Sequence, residues 1–152
     1  MMTKSLISTL LLALAAGIAT HARAAGDEPT ALSPQACQAL HQELDAVEAH
    51  VREARARGAA QANAPAPYQT LAQALEAHLD TLQAGLPAPT PATQRAQASE
   101  LVSDMRDALV LVRGATHLEA RQLAVQRLED DQRLYNRVLE TLGCSATRPT
   151  AL

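Results

Sequence analysis

Apolar residues recur with helical periodicity along four stretches of the chain, a pattern typical of amphipathic helices. The first predicted helix begins at Ser33-Pro34, a capping residue followed by a proline at the first helical position, and Gly58 is its predicted end. A loop rich in Ala and Pro is predicted over 59–67. The apolar seam of this helix consists of Cys37, Leu40, Leu44, Val47, Val51 and Ala54.

A proline-rich break separates the second and third predicted helices. The second runs from about Tyr68 to Leu86 and ends before the segment 87–91, because proline cannot continue a helix. The third runs from about Ala92 to Arg113 and carries a wider apolar face than the others, which is suited to burial. That face consists of Leu101, Val102, Met105, Leu109 and Val112.

The residues around Gly114 decide between three predicted helices and four. Thr116 and Glu119 have the spacing of a capping box, so a new helix is predicted to start there after a tight turn. Gly143 is predicted to end this helix in the left-handed conformation. Because short connections favour antiparallel neighbours, the predicted fold is all-α, an up-down-up-down antiparallel four-helix bundle over 34–144.

Two cysteines support this helix count. Cys37 lies in the first turn of the first predicted helix, and Cys144 follows the end of the fourth. An even number of helices places both at the same end of a bundle, where they are predicted to form a disulfide, whereas three helices would place them at opposite ends. The flanking segments, 25–33 and 145–152, are predicted to be flexible.

Residues 1–24 are predicted to be a signal peptide. Lys4 precedes the uncharged apolar run Leu6–Ile18, and Ala22-Arg23-Ala24 carries small residues at both positions that a signal peptidase recognises. Cleavage is therefore predicted after Ala24, with the periplasm as the predicted location. The alternative is an uncleaved anchor, but the run is shorter than the ~20 apolar residues of a spanning helix.

Composition and charge narrow the range of partners. Aromatic residues make up 1% of the chain, which argues against stacking on bases, sugars or flat ligands. The formal net charge is −3 and becomes more negative when Lys4 and Arg23 are removed with the signal peptide. Nucleic acid is not a predicted partner, because its binding calls for a basic face. No segment after the signal peptide is apolar enough to span a membrane, so no membrane insertion is predicted after cleavage.

The linear motifs of common enzyme and cofactor classes do not occur, so neither an enzyme nor a cofactor is predicted. Ser99 and Ser103 lack the glycine elbow and the His-Asp partners of a catalytic nucleophile. The predicted outline is similar to that of cytochrome b562 and the cytochromes c′. However, the chain has no Cys-x-x-Cys-His motif, no Met in the first predicted helix and no His in 133–137, so the haem ligands of that class are missing.

One constellation of side chains is a candidate metal site. Counting residues from the disulfide end of the predicted bundle places His41, His78 and Glu100 at a similar depth, beside the turn Gln132–Tyr135. Imidazole and carboxylate ligands suit a transition metal, so these three residues are the predicted ligands. The alternative is a buried hydrogen-bond cluster, because His78 and Gln132 lie on or beside apolar seams where polar groups need partners.

Two acidic stretches are candidate contact surfaces. On the first predicted helix, His41, Asp45 and Glu48 share a face that suits a cation, a basic partner or plain solvation. On the fourth, Glu129-Asp130-Asp131 suits a basic surface, and Glu129 forms a favourable pair with Arg133 four residues later.

The leading hypothesis for function is a non-enzymatic periplasmic protein that binds another protein, as an adaptor, a chaperone-like factor or an inhibitor of the immunity type. The alternative is a protein that binds a metal or small ligand through His41 and His78. A third possibility is a structural bundle whose apolar faces close a homodimer.

Overall fold

A computed structural model describes residues 31–60, 66–87 and 90–145 of the chain. Within these ranges the fold is all-α, with four helices and no strand, as the hydrophobic pattern predicts. The predicted signal peptide 1–24 and most of both predicted flexible segments lie outside the described residues. The helices are α1 (Pro34–Ala60), α2 (Ala66–Ala84), α3 (Ala92–Gly114) and α4 (Leu118–Thr141).

The start of α1 is the predicted one, and its end is not. The backbone N–H of Ala36 donates to Ser33 Oγ at 3.2 Å, so Ser33 caps the helix and Pro34 takes the first helical position. The prediction that Gly58 ends the helix was wrong, because α1 continues to Ala60. A glycine inside a helix costs only about 1 kcal/mol relative to alanine, and the two alanines that follow favour helix.

The two middle helices agree with the sequence pattern to within about two residues at each end. α2 begins at Ala66 and ends at Ala84, before Gly85, whose N–H donates to Leu82 O at 3.4 Å. α3 begins at Ala92, as predicted after the proline-rich segment, and ends at Gly114. All five residues of the wide apolar face of α3 are buried.

The predicted break at Gly114 is confirmed, but the predicted capping box is wrong. α4 begins at Leu118, its N-cap is His117, and no side chain in the described part of the chain caps it. Ala115 is extended, and its N–H closes α3 by donating to Leu111 O at 2.9 Å. His117 is extended as well, and Thr116 between them lies in a bend, one position too early to cap α4.

The far end of α4 and the cysteines match the prediction. Gly143 has a φ of +81°, the left-handed conformation that glycine adopts without a steric penalty. The turn lets the N–H of Cys144 donate to Leu139 O at 2.9 Å. Cys144 forms a disulfide with Cys37, with 5.3 Å between the Cα atoms. A second link at this end joins Leu32 N–H to Leu142 O at 3.2 Å.

Each helix packs against the next along the chain, and α1 also packs against α4. The shared core is built from Leu, Val and Ala, with Met105 and the two tyrosines, Tyr68 and Tyr135, as the large exceptions. None of the described helices is both long enough and apolar enough to cross a membrane.

Candidate functional site

The three predicted metal ligands are not gathered in the structure. His41 is half-buried and lines a cleft of about 650 Å³ beside the disulfide, and its Nε2 has no hydrogen-bond partner in the described ranges. His78 contacts Glu43 instead, and Glu100 is exposed on α3. Nowhere in the described residues do three or more His, Cys, Asp or Glu side chains form a group that could hold a metal ion.

Two polar side chains of the predicted α4 turn satisfy the backbone of neighbouring helices. Gln132 is buried, and its Nε2 donates to Leu44 O of α1 at 3.2 Å. Tyr135 is fully buried, and its hydroxyl donates to Leu82 O of α2 at 2.9 Å. Burial raises the pKa of Tyr135 to about 12. Their role is structural, since both hydrogen bonds are made to main-chain carbonyls inside the core.

A histidine cluster that was not predicted from the sequence lies between α1 and α2. His78 Nδ1 is 2.6 Å from Glu43 Oε2, and the rings of His78 and His50 lie with their centroids 5.6 Å apart. Glu43 and His50 are seven residues apart, about two helical turns, so they share a face of α1. That spacing was the signal in the sequence for a shared face of Glu43 and His50, but it did not indicate the contact with His78. We call Glu43, His50 and His78 the α1–α2 histidine cluster.

The acidic stretch of α4 is largely neutralised by arginines. Glu129 lies 3.1 Å from an Arg55 nitrogen of α1 and 3.6 Å from Arg133, which confirms the predicted pair of Glu129 and Arg133. Arg133 also contacts Asp130 at 3.0 Å. These ion pairs link α4 to α1 through Glu129 and Arg55 and form further contacts within α4. The binding role of this stretch stays a prediction.

Asp131 differs from its two acidic neighbours because it is buried, with 7% of its surface exposed. Its Oδ2 lies 3.9 Å from Arg127 Nε, beyond hydrogen-bond distance, and no described residue donates a hydrogen bond to it. The pKa of Asp131 is raised, first by burial and then by the carboxylates of Asp104 and Asp130, while Arg127 opposes the rise.

One of the charges on the acidic face of α1 forms an ion pair within the helix. Glu48 pairs with Arg52 on the surface of α1, and Asp45 is exposed beside His41. Charged pairs at this spacing are typical of a solvated helix flank.

An apolar side chain projects from α4 beside an open cleft. Leu123 is 66% exposed, the highest fraction among the large apolar side chains of the described residues. The cleft has a volume of about 600 Å³ and is lined by Arg55, Tyr68, Glu119, Gln122, Leu123, Val125 and Gln126. We call it the Leu123 cleft. The sequence pattern gave no signal for it, because a cleft depends on how three helices meet.

No protein-family model matches the chain, and neither a curated protein nor a solved structure matches it. The candidate functional surfaces of the described residues are the Leu123 cleft, the cleft beside the disulfide and the α1–α2 histidine cluster.

Proposed function

We propose that the chain is an exported, non-enzymatic protein that binds another protein in the periplasm, as an adaptor, a chaperone-like factor or an inhibitor of the immunity type. The observation that carries the proposal is Leu123, a large apolar side chain that is 66% exposed at the edge of an open cleft. Burying a leucine in an interface contributes about 1.5–3 kcal/mol, so a partner that covers Leu123 gains substantially.

Export is supported from two directions. Residues 1–24 have the order of a signal peptide: a basic start, an uncharged apolar run and a small-residue cleavage site. Cys37 and Cys144 form a disulfide. Disulfides persist in oxidising compartments and are rare in the cytosol.

The proposed topology is an up-down-up-down antiparallel four-helix bundle. The support for this topology is the order of the contacts between neighbouring helices. As the residue number rises along one helix, the number of the residue that it contacts on the neighbouring helix falls. Two contacts of each pair follow this order: Asp80 with Arg106 and Glu76 with Arg113 between α2 and α3, and Leu44 with Gln132 and Arg55 with Glu129 between α1 and α4. The Leu123 cleft lies where α4 meets Arg55 of α1 and Tyr68 of α2.

The chemistry of the Leu123 cleft fits a protein surface better than a small flat ligand. Leu123 supplies exposed apolar area, while Gln122 and Gln126 offer amide groups for hydrogen bonds. Arg55 and Glu119 add one charge of each sign at the same cleft. An apolar centre with polar and charged groups around it is the usual composition of a protein–protein interface.

The test is capture of a partner from the periplasmic extract of the native host with three forms of the protein as bait. The wild-type chain is compared with Leu123→Asp, which places a charge at the cleft, and with Leu134→Asp. Leu134 is the matched control, because it is also an exposed leucine on α4 and does not line the cleft. Circular dichroism checks that all three baits are folded.

We expect one protein to be enriched by the wild type and by Leu134→Asp, and its recovery to fall at least about tenfold with Leu123→Asp. Equal recovery with Leu123→Asp, or no enriched protein with the wild type, contradicts the proposal. The homodimer stays a separate prediction, which sedimentation velocity at two protein concentrations checks.

A further inference from the structure

We propose that His50 and His78 together bind a divalent transition-metal ion on the α1–α2 surface, with Glu43 holding the His78 ring in position. This site shares only His78 with the predicted trio of His41, His78 and Glu100, which do not form a metal-holding group in the described residues. It is also independent of the Leu123 cleft, whose lining includes none of the three residues of the histidine cluster.

The separation of the two rings suits a shared ion. Zinc binds histidine nitrogens at about 2.0–2.1 Å in tetrahedral geometry, which places the centres of two coordinating rings roughly 5–6 Å apart. The centroids of His50 and His78 are 5.6 Å apart, and their planes are tilted by 39°. The separation of the two rings, which lie on different helices, therefore matches that of two imidazoles sharing one ion.

Glu43 supplies the contact that prepares His78 as a ligand. With Glu43 Oε2 2.6 Å from Nδ1, that nitrogen carries the proton and donates to the carboxylate. The lone pair then lies on Nε2, which is the nitrogen left to bind the metal. A carboxylate that receives the second ring N–H in this way fixes the tautomer and raises the basicity of the ligand.

The cluster is reachable from solvent and leaves coordination positions for water. The side chains of His78 and Glu43 are each 27% exposed, and His50 is half-buried. Close to His50, Glu53 and Arg57 line a small cavity with it and form an ion pair with each other, so the Arg57 charge is compensated. Two imidazoles with waters suit Cu²⁺ and Zn²⁺, and Cu²⁺ is expected to bind more tightly by the general order of affinities.

The experiment is isothermal titration of the metal-free, disulfide-intact protein with zinc chloride and, separately, with copper sulfate. We expect one ion per chain for the wild type. His50→Ala and His78→Ala should each weaken binding at least tenfold, and Glu43→Gln should weaken it roughly tenfold to a hundredfold through the loss of orientation. His117→Ala is the matched control, because His117 is exposed at the start of α4. The metal affinity of this variant should equal that of the wild type.

Thermal unfolding in the presence and absence of zinc separates metal binding from folding. Zinc should raise the midpoint of the wild type and of His117→Ala and leave that of His50→Ala unchanged, because an ion that binds the native state stabilises it. Wild-type affinity in both His50→Ala and His78→Ala overturns the proposal. An equal loss of affinity in His117→Ala also overturns it, since binding then has no preference for the α1–α2 histidine cluster.

Discussion

Asp131 carries a carboxyl group whose ionised form is disfavoured by its burial. Folding buries its carboxyl group, Asp104 of α3 and Asp130 add negative potential, and Arg127, 3.9 Å away, compensates only in part. From α1, Arg55 reaches this side of α4 but pairs with Glu129. A buried carboxylate without a hydrogen bond to one of its oxygens is costly in the ionised form.

Replacing Asp131 with Asn is expected to stabilise the protein at pH 7 by about 1 kcal/mol, because the amide keeps the shape and removes the buried charge. The pKa of Asp131 is raised above its ordinary value of 3.8 by burial. Its contribution to the free energy of unfolding is therefore fully present below pH 3.8 and is lost as the pH rises through the raised pKa.

Urea unfolding of both forms across the acidic range and at pH 7 checks this prediction. The advantage of Asp131→Asn should shrink as the pH falls through the raised pKa of Asp131. A variant that is less stable than the wild type at pH 7 would show that the contact with Arg127 outweighs the burial of the charge.

Sequence reasoning at the residue scale found the polar groups on the seams and missed the pairs they form. Gln132 stands out in the sequence because it interrupts an apolar stripe, and it is indeed buried and hydrogen-bonded. The contact between Glu43 and His78 has no such signal, since it depends on the relative register of α1 and α2. An error of one residue in a helix turns a side chain by about 100°, which is enough to exchange one partner for another.

Helix ends show where the sequence pattern was informative at the element scale. Ser33 caps α1 through its own side-chain oxygen, and Gly143 ends α4 through its own backbone conformation, so both were predictable and both are confirmed. Thr116 and Glu119 fit the capping motif in sequence, but the extended chain after Gly114 moves the N-cap to His117. A capping motif predicts that a helix begins nearby, and the preceding turn decides at which residue.

The two glycines that flank α4 make a matched pair of predictions about helix ends. Gly114 is the last residue of α3, and a Cβ built there meets nothing within 4 Å, so Gly114→Ala should stabilise the protein by roughly 0.5–1 kcal/mol. Gly143 has a φ of +81°, so Gly143→Ala should destabilise it by about 1–2 kcal/mol. Chemical unfolding of the two variants and the wild type checks both signs. Equal effects of the two substitutions would contradict the assignment of Gly143 to the left-handed conformation.

At the scale of the whole molecule, the disulfide joins the beginning of α1 to the residues after α4 across 107 positions. Closing a loop of this length stabilises the folded state by about 4–5 kcal/mol in the chain-entropy model, because it restricts the unfolded chain. A core with no Phe or Trp buries less apolar area per residue than one with large aromatics, so this contribution forms a large share of the total.

The double variant Cys37→Ser, Cys144→Ser is therefore expected to lose about 4–5 kcal/mol of unfolding free energy relative to the oxidised wild type. Urea unfolding measures the loss, and the reduced wild type is the control, since it should unfold close to the double variant. An unchanged unfolding midpoint would mean that the four helices hold together without the covalent link.

We propose that this disulfide-bonded protein is exported and binds another protein through the Leu123 cleft. Native mass spectrometry of the protein from the extracytoplasmic fraction of its own host tests this proposal most directly. We predict a chain that begins at Ala25, is lighter by two hydrogens than its reduced form, and carries a second protein that is absent when the chain bears Leu123→Asp. A chain that retains residues 1–24, free cysteines, or a bare monomer would contradict the account.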